Sequence, residues 1–375
     1  MTEIKLKNEL GKEHLRCSPP DEQSSFNSSG GNNQRLFLPN YILKSDSNDI
    51  FGIPDPNIEY KCSENIKSKG FDYIHKIVML TNKYPEALNE RSSSGGEHCS
   101  PLDVLKDYLV AYPDKINCQN ARGWTALHIV CLNSKTDSSE KTVEFLLSHP
   151  NIDANLKEED GWTSLHFACR KSNTNSTEKT VELLLGHSNI DVNVQNNDGW
   201  TALLLACRHS KTDSSERTVE LLLTHHNIDV NVKEENGWTA LHSACRYSKT
   251  ESSERTVELL LAHPKIDVNL KKEDGWTALH ISCRHSNKTS SEKTVELLLS
   301  QPNIDVNVKE EIDGCTALLL ACRNSRTDSS ERTVELLLSH PNIDVNLQNK
   351  TGRTALHYAC KNNQIKIVQM LLVGM

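Results

Sequence analysis

The sequence predicts an all-α fold in which antiparallel helix pairs stack into a solenoid, and two observations carry that prediction. First, Gly123-Trp124-Thr125-Ala126-Leu127-His128 returns almost unchanged at Gly161, Gly199, Gly237, Gly275, Gly314 and Gly352, a spacing of 38 residues with one step of 39. A unit that short cannot enclose a core alone, so its apolar face must be covered by the next copy. Second, each copy carries two apolar runs at helical spacing, separated by a polar loop and followed by a turn-rich segment.

The elements follow in chain order. Residues 1–66 are rich in Ser, Asn, Gly, Lys and Asp, lack a sustained apolar period, and read as a disordered N-terminal region. The apolar islands at 36–43 and 50–53 are candidate docking peptides. Phe71, Ile74, Ile77, Val78 and Leu80 predict one amphipathic helix, and Leu102, Leu105, Tyr108 and Leu109 a second. Shifted by 38, Asn117 falls on Asn155 and Leu109 on Leu147, so residues 67–119 read as a degenerate first repeat that caps the stack.

Residues 120–375 form the array of seven repeats. Within one unit, Asn155-Leu-Lys-Glu-Glu-Asp160-Gly161 is a hairpin-like loop whose glycine can supply a positive φ. Thr163 is placed to cap the first helix, which carries Leu165, Phe167, Ala168 and Cys169 and ends near Arg170, a charge suited to a helix C-terminus. A polar loop, 171–176, leads to the second helix, where Val181, Leu184 and Leu185 recur at i, i+3 and i+4. Asp137, Asp213 and Asp328 each precede a Glu by three residues, the spacing of a capping box with Asp as the cap.

Gly-x-Thr-Ala-Leu-His, Ala-Cys, Val-Glu-Leu-Leu-Leu and Ile-Asp-Val-Asn together resemble the ankyrin repeat, in register over seven copies. This chain departs from the usual repeat by about four residues between the helices and one before Ile-Asp-Val-Asn, and its last copy lacks the inter-helix insertion. The resemblance implies helix pairs with finger-like hairpin loops and a concave surface that binds other proteins. It also implies that His128, His166, His242, His280 and His357 are structural, hydrogen-bonding within and between repeats. Leu204 and Leu319 stand at that position in two copies. A second histidine set, His149, His187, His225, His263 and His340, falls at the end of the second helix, where the dipole favours a cation.

Composition excludes several classes. A formal charge of -8 and a pI near 6.1 give no basic footprint for nucleic acid. No run approaches the roughly 18 apolar residues of a membrane span, and the N-terminus has no apolar leader, so a cytoplasmic or nuclear protein is expected. Of twelve cysteines, seven (Cys131, Cys169, Cys207, Cys245, Cys283, Cys322 and Cys360) share one repeat position. Stacked helices lie about 8–10 Å apart, too far for a disulfide or a shared zinc ion, so these are expected to be reduced, buried thiols. There is no Walker loop, GxSxG elbow or HExxH motif, and no metal, cofactor or small-molecule substrate is expected.

The five tryptophans, Trp124, Trp162, Trp200, Trp238 and Trp276, all follow the repeat glycine, with Cys315 and Arg353 ending the series. The resemblance places them on the fingers, as a ladder of aromatic anchors for a protein partner. Beside them the tips are acidic, at Glu158, Glu159, Glu234 and Glu235, which would favour a basic or amphipathic peptide. Beyond the first helix runs a basic column, Arg170, Arg208, Arg246, Arg284, Arg323 and Lys361. The function expected is therefore a non-catalytic interaction scaffold or adaptor. The alternative is an accessory or substrate-recruiting subunit of an enzyme complex such as a ubiquitin ligase. Asn155, Asn193, Asn231, Asn269, Asn307 and Asn346 also resemble ankyrin asparagines that asparaginyl hydroxylases modify. Serines and threonines of the inserted loops are candidate phosphorylation sites.

Overall fold

The computed structural model describes residues 74–75, 77–78, 101–135 and 137–373. The expectations for residues 1–66, including both apolar islands, and for Phe71 and Leu80 lie outside the described residues. Residues 74–75 and 77–78 are helical. Helix α1 (Pro101–Ala111) is followed by a 3-10 turn, Pro113–Asn117. Seven helix pairs then succeed one another: α2 (Ala126–Leu132) and α3 (Asp137–Ser148), α4 (Ser164–Lys171) and α5 (Glu178–Leu185), α6 (Ala202–Arg208) and α7 (Glu216–Thr224), α8 (Ala240–Tyr247) and α9 (Glu254–Leu261). The remaining pairs are α10 (Ala278–His285) and α11 (Glu292–Leu299), α12 (Ala317–Asn324) and α13 (Glu331–Leu338), α14 (Ala355–Lys361) and α15 (Ile365–Val373). No strand occurs among the described residues. First helices pack on first helices and second on second, which gives the predicted solenoid.

In five of the seven repeats the first helix starts because threonine and histidine cap it reciprocally. At α4 the Thr163 N–H donates to His166 Nδ1 at 3.0 Å, and at α2 the His128 N–H donates to Thr125 Oγ1 at 3.3 Å. Histidine thus takes the capping-box place usually held by Glu or Gln. Its other nitrogen ties the stack: His166 Nε2 donates to the Trp200 carbonyl at 2.9 Å, and His128, His242 and His280 reach backbone carbonyls of the following repeat. Leu204 and Leu319 keep the threonine cap, give up the tie and are fully buried. The repeat glycines are required by both backbone and space. Gly199 has φ +81°, and a Cβ there would lie 2.8 Å from the backbone nitrogen of Glu235.

The inserted inter-helix loops pack on one another and bury their serines. Each hydrogen-bonds its neighbour through the backbone, as in Asn173 N–H to the Asp213 carbonyl (3.0 Å) and Lys211 N–H to that of Glu251 (3.0 Å). Beneath runs a ladder of buried hydroxyls. Thr218 Oγ1 donates to Ser172 Oγ at 2.7 Å and Thr256 Oγ1 to Ser210 Oγ at 2.7 Å, while Ser172 meets Ser214 and Ser210 meets Ser252, each at 3.3 Å. The caps of the second helices are serine or threonine one place before the first Glu: Thr177, Ser215, Ser253, Ser291 and Ser330. The predicted aspartate caps are corrected accordingly. Asp213 pairs instead with Lys171 of the preceding repeat at 2.8 Å, and Asp328 with Lys288 at 2.5 Å.

The core is one continuous cluster along the stack, reaching from Ile74, Leu105 and Ile116 through Leu127, Leu165 and Leu203 to Ile367 and Leu371. Among the described cysteines none forms a disulfide. Cys131, Cys169, Cys207, Cys245, Cys283 and Cys322 are buried where the first helices touch, and burial pushes the Cys245 and Cys322 thiols up to about 12. Cys360 is exposed.

Candidate functional site

Each finger is held by a side-chain oxygen that replaces a backbone partner. Asn120, Glu158, Asn196, Glu234, Glu310 and Asn349 accept from the N–H of the residue at the tryptophan position; for Glu158 and Trp162 the distance is 3.0 Å. Glu158 also accepts from Asp160 N–H at 2.9 Å. Its carboxyl is pushed up to about 7, first by burial and then by neighbouring acids, against the two N–H bonds that favour its charge. Where Lys272 stands instead, Asp274 accepts from Trp276 N–H at 3.2 Å. Fingers also join one another, as in Glu159 N–H to the Arg122 carbonyl (3.0 Å) and Glu235 N–H to that of Asp198 (3.3 Å). Of the acidic tip residues, Glu158 and Glu234 therefore turn inward, while Glu159 and Glu235 are exposed.

The tryptophans do not form a row of free aromatic faces along the fingers. Trp162, Trp200 and Trp276 are 1%, 3% and 8% exposed, and only Trp124 and Trp238 are half-buried. The cause lies on the neighbouring first helix. Phe167 sits between two indoles, 4.6 Å from the Trp124 ring centroid and 5.2 Å from that of Trp162. Arg208 lies 5.8 Å from the Trp200 ring centroid and 4.5 Å from that of Tyr247, and Arg284 lies 5.4 Å from that of Trp276. Lys272 approaches the Trp238 ring at 5.5 Å.

Arg170, Arg208 and Arg246 of the basic column are covered by the inserted loops. Arg170 donates to His209 Nε2 at 3.0 Å, and the opposite ring nitrogen faces Glu251 at 3.6 Å. Burial first, then the nearby Arg170, Arg208 and Lys171 charges, hold His209 down near 2, so the imidazole is neutral and bridges three repeats without forming an ion pair. Arg208 reaches Glu251 at 3.5 Å, and Arg246 donates to Thr289 Oγ1 at 2.5 Å. This arrangement was illegible in the sequence, because the partners sit roughly one repeat apart on different elements.

The asparagine column is similarly committed. Asn155 Nδ2 donates to the Asn189 carbonyl at 2.7 Å while its Oδ1 accepts from Asp191 N–H at 2.8 Å, and Asn117, Asn193, Asn231, Asn269 and Asn307 repeat the pattern. Asn346 is exposed. Four of the helix-end histidines, His149, His225, His263 and His340, accept at Nδ1 from a backbone N–H two residues on, at 3.3 Å for His225, and burial lowers the pKa of His225 and His263.

One functional-position residue escaped the sequence reading. His75 Nε2 donates to the Trp124 carbonyl at 2.8 Å, the same inter-repeat tie made by His166. The signal was present in Gly70-Phe-Asp-Tyr-Ile-His75, a worn copy of Gly123-Trp-Thr-Ala-Leu-His128.

Chemically the face is one of hydrogen-bond donors, half-buried aromatics and paired charges. Burial holds His128, His166, His242 and His280 near 4, and raises the thiol pKa of Cys131, Cys169, Cys207 and Cys283. That is the reverse of an activated nucleophile. Among the described residues, Glu310, Asp313 and Cys315 bring potential metal-ligand atoms within 4.8 Å. The Glu310 oxygens already accept from the N–H groups of Ile312, Asp313 and Cys315, and Asp313 accepts from Arg323. No helix of the described residues is long and apolar enough to cross a membrane.

Comparison with known proteins agrees with this geometry. A family model described as ankyrin repeats (3 copies) matches residues 98–195, 172–272, 213–310, 248–349 and 288–375. Ankyrin repeat protein L91 of Acanthamoeba polyphaga mimivirus is 35% identical over 100 residues, 26% of this chain. That stretch spans 14% of the viral protein's length. The crystal structure of the ankyrin repeat domain of Bcl-3, a member of the IkappaB protein family, superposes with a TM-score of 0.53 at 22% identity, covering 67% of this chain and 99% of that one.

Proposed function

This chain belongs to the ankyrin repeat family, and from that premise we propose that it is a non-catalytic scaffold or adaptor, binding a protein partner through the finger and first-helix face. The observation that carries the reading is the division of labour on that face. In three fingers one acid is spent on the turn and its neighbour is left outside: Glu158 and Glu159, Glu234 and Glu235, Glu310 and Glu311. Half-buried Trp124 and Trp238 add aromatic area beside the exposed acids. Trp162, Trp200 and Trp276 support the face from within, and residues 67–119 act as a degenerate repeat that caps the stack. A cytoplasmic or nuclear site fits the reduced cysteines.

The test is a quantitative pull-down with the full chain. Combined Trp124→Ala, Trp238→Ala, Glu159→Lys and Glu235→Lys is expected to lose partners that the parent retains, with an unchanged helical circular-dichroism spectrum. An unaltered partner set from that folded variant sinks the assignment of the face.

A further inference from the structure

We infer that the cleft between the last two repeats is an anion site that takes the carboxylates of an acidic, extended segment of a partner protein. The inference rests on the protein-binding reading and specifies the partner's chemistry at one place. Here lies a cavity of about 430 Å³, lined among others by Arg323, Arg353, Lys361, Tyr358, Asn349 and Asp313.

Two departures from the repeat pattern open it. The tryptophan series stops, leaving Cys315 and Arg353 where earlier repeats place an indole. The last repeat also lacks the inserted loop, its helices being joined by Asn362, Asn363 and Gln364 alone. In earlier repeats that loop supplies an acid to the preceding basic residue, as Asp213 does for Lys171 and Glu251 for Arg208. No such loop reaches Arg323, which turns back to Asp313 of its own repeat at 2.8 Å. Arg353 and Lys361 are exposed and, among the described residues, neither meets a carboxylate. Three cations therefore face one acid on a chain that is acidic as a whole.

Hydrogen bonding points the same way. The hydroxyl of the buried Tyr358 accepts from Asn349 Nδ2 at 3.0 Å, so its own proton is left to donate. Guanidinium, ammonium and phenol donors thus line the cleft with a single carboxylate, that of Asp313. Guanidinium and carboxylate pair in planar, two-pronged fashion, which favours Asp or Glu side chains as the occupant. The exposed rim at Thr351, Arg353 and Lys361 leaves the cleft open to a passing chain.

Fluorescence anisotropy with the full chain tests this. The probes are a labelled Glu-rich peptide, its Gln counterpart, and a phosphoserine peptide without Asp or Glu. The Glu-rich peptide is expected to bind, to weaken with salt, and to lose roughly tenfold or more in affinity with Arg353→Glu plus Lys361→Glu. Lys141→Glu, an exposed charge reversal in the first repeat, should leave binding unchanged. The inference is overturned if the Glu-rich peptide binds no better than the Gln peptide, if the cleft variant binds as the parent does while melting normally, or if only the phosphoserine peptide binds. Any of those results leaves the scaffold reading to its own pull-down.

Discussion

The Nε2–H of His166 donates to the carbonyl oxygen of Trp200 at 2.9 Å, across 34 positions of sequence. The same ring accepts at Nδ1 from Thr163 N–H at 3.0 Å, so one neutral imidazole caps its own helix and ties down the next finger. That double duty requires the unprotonated tautomer. Burial is the largest influence on the ring and holds it near 4, below its ordinary 6.5.

Stability should therefore fall on the acid side of neutrality. As pH drops from 6.5 towards 4, the unfolded chain takes up protons that folded His128, His166, His242 and His280 refuse, so the stabilisation is complete above 6.5 and lost below it. Thermal melts across that window are expected to shift downward. His166→Leu, which copies the natural Leu204 and Leu319, should flatten the dependence; an equally steep profile in that variant would refute the assignment.

Glu158 has the opposite sign. Its folded pKa, raised to about 7, makes the carboxylate a cost above its ordinary 4.5, greatest beyond 7. Asn196 performs the same turn without charge. Glu158→Asn is expected to raise Tm by about 2–4 °C at pH 8 and by less at pH 5. A larger gain at the lower pH would contradict this account.

Phe167 is the wedge between two indoles. Phe167→Ala should destabilise by about 3–5 kcal/mol in urea titration, with the Trp124 and Trp162 emission shifting to the red. Trp238→Ala, at a half-buried finger, should cost clearly less than Trp162→Ala. Equal losses for the two tryptophans would mean that burial does not separate their roles.

The hydroxyl ladder ties the inserted loops to the second helices. Thr256→Val removes the donor to Ser210 and should cost about 1–3 kcal/mol although it preserves volume and burial. The loop serines Ser172, Ser214 and Ser252 are buried, so intact-mass analysis after kinase treatment of the folded protein should find them unmodified. Modification at those positions in a protein that still melts normally would show that the loops open.

Much of the architecture was legible because it is periodic. The glycine turn, the threonine cap, the helix pair and the buried cysteine recur every 38 residues or so, and a stacked solenoid is the solution that covers their apolar faces. Local chemistry stated these rules directly: Gly199 needs its positive φ, and Thr163 and His166 stand three apart, the reach of a capping box.

What the sequence could not decide was which side of each residue the neighbouring repeat would claim. Glu158 and Glu159 are alike as text, yet one accepts two backbone N–H groups and the other meets solvent. Trp162 reads as a finger anchor until Phe167 is stacked on it, and Asp213 as a cap until Lys171 of the preceding repeat reaches it. Composition and periodicity determined that the helices stack. Tertiary structure decided which charges, indoles and hydroxyls that stacking consumes, because many, as Lys171 with Asp213, Trp124 with Phe167 and Ser172 with Thr218, are met by a partner roughly one repeat away, beyond the range of any local pattern.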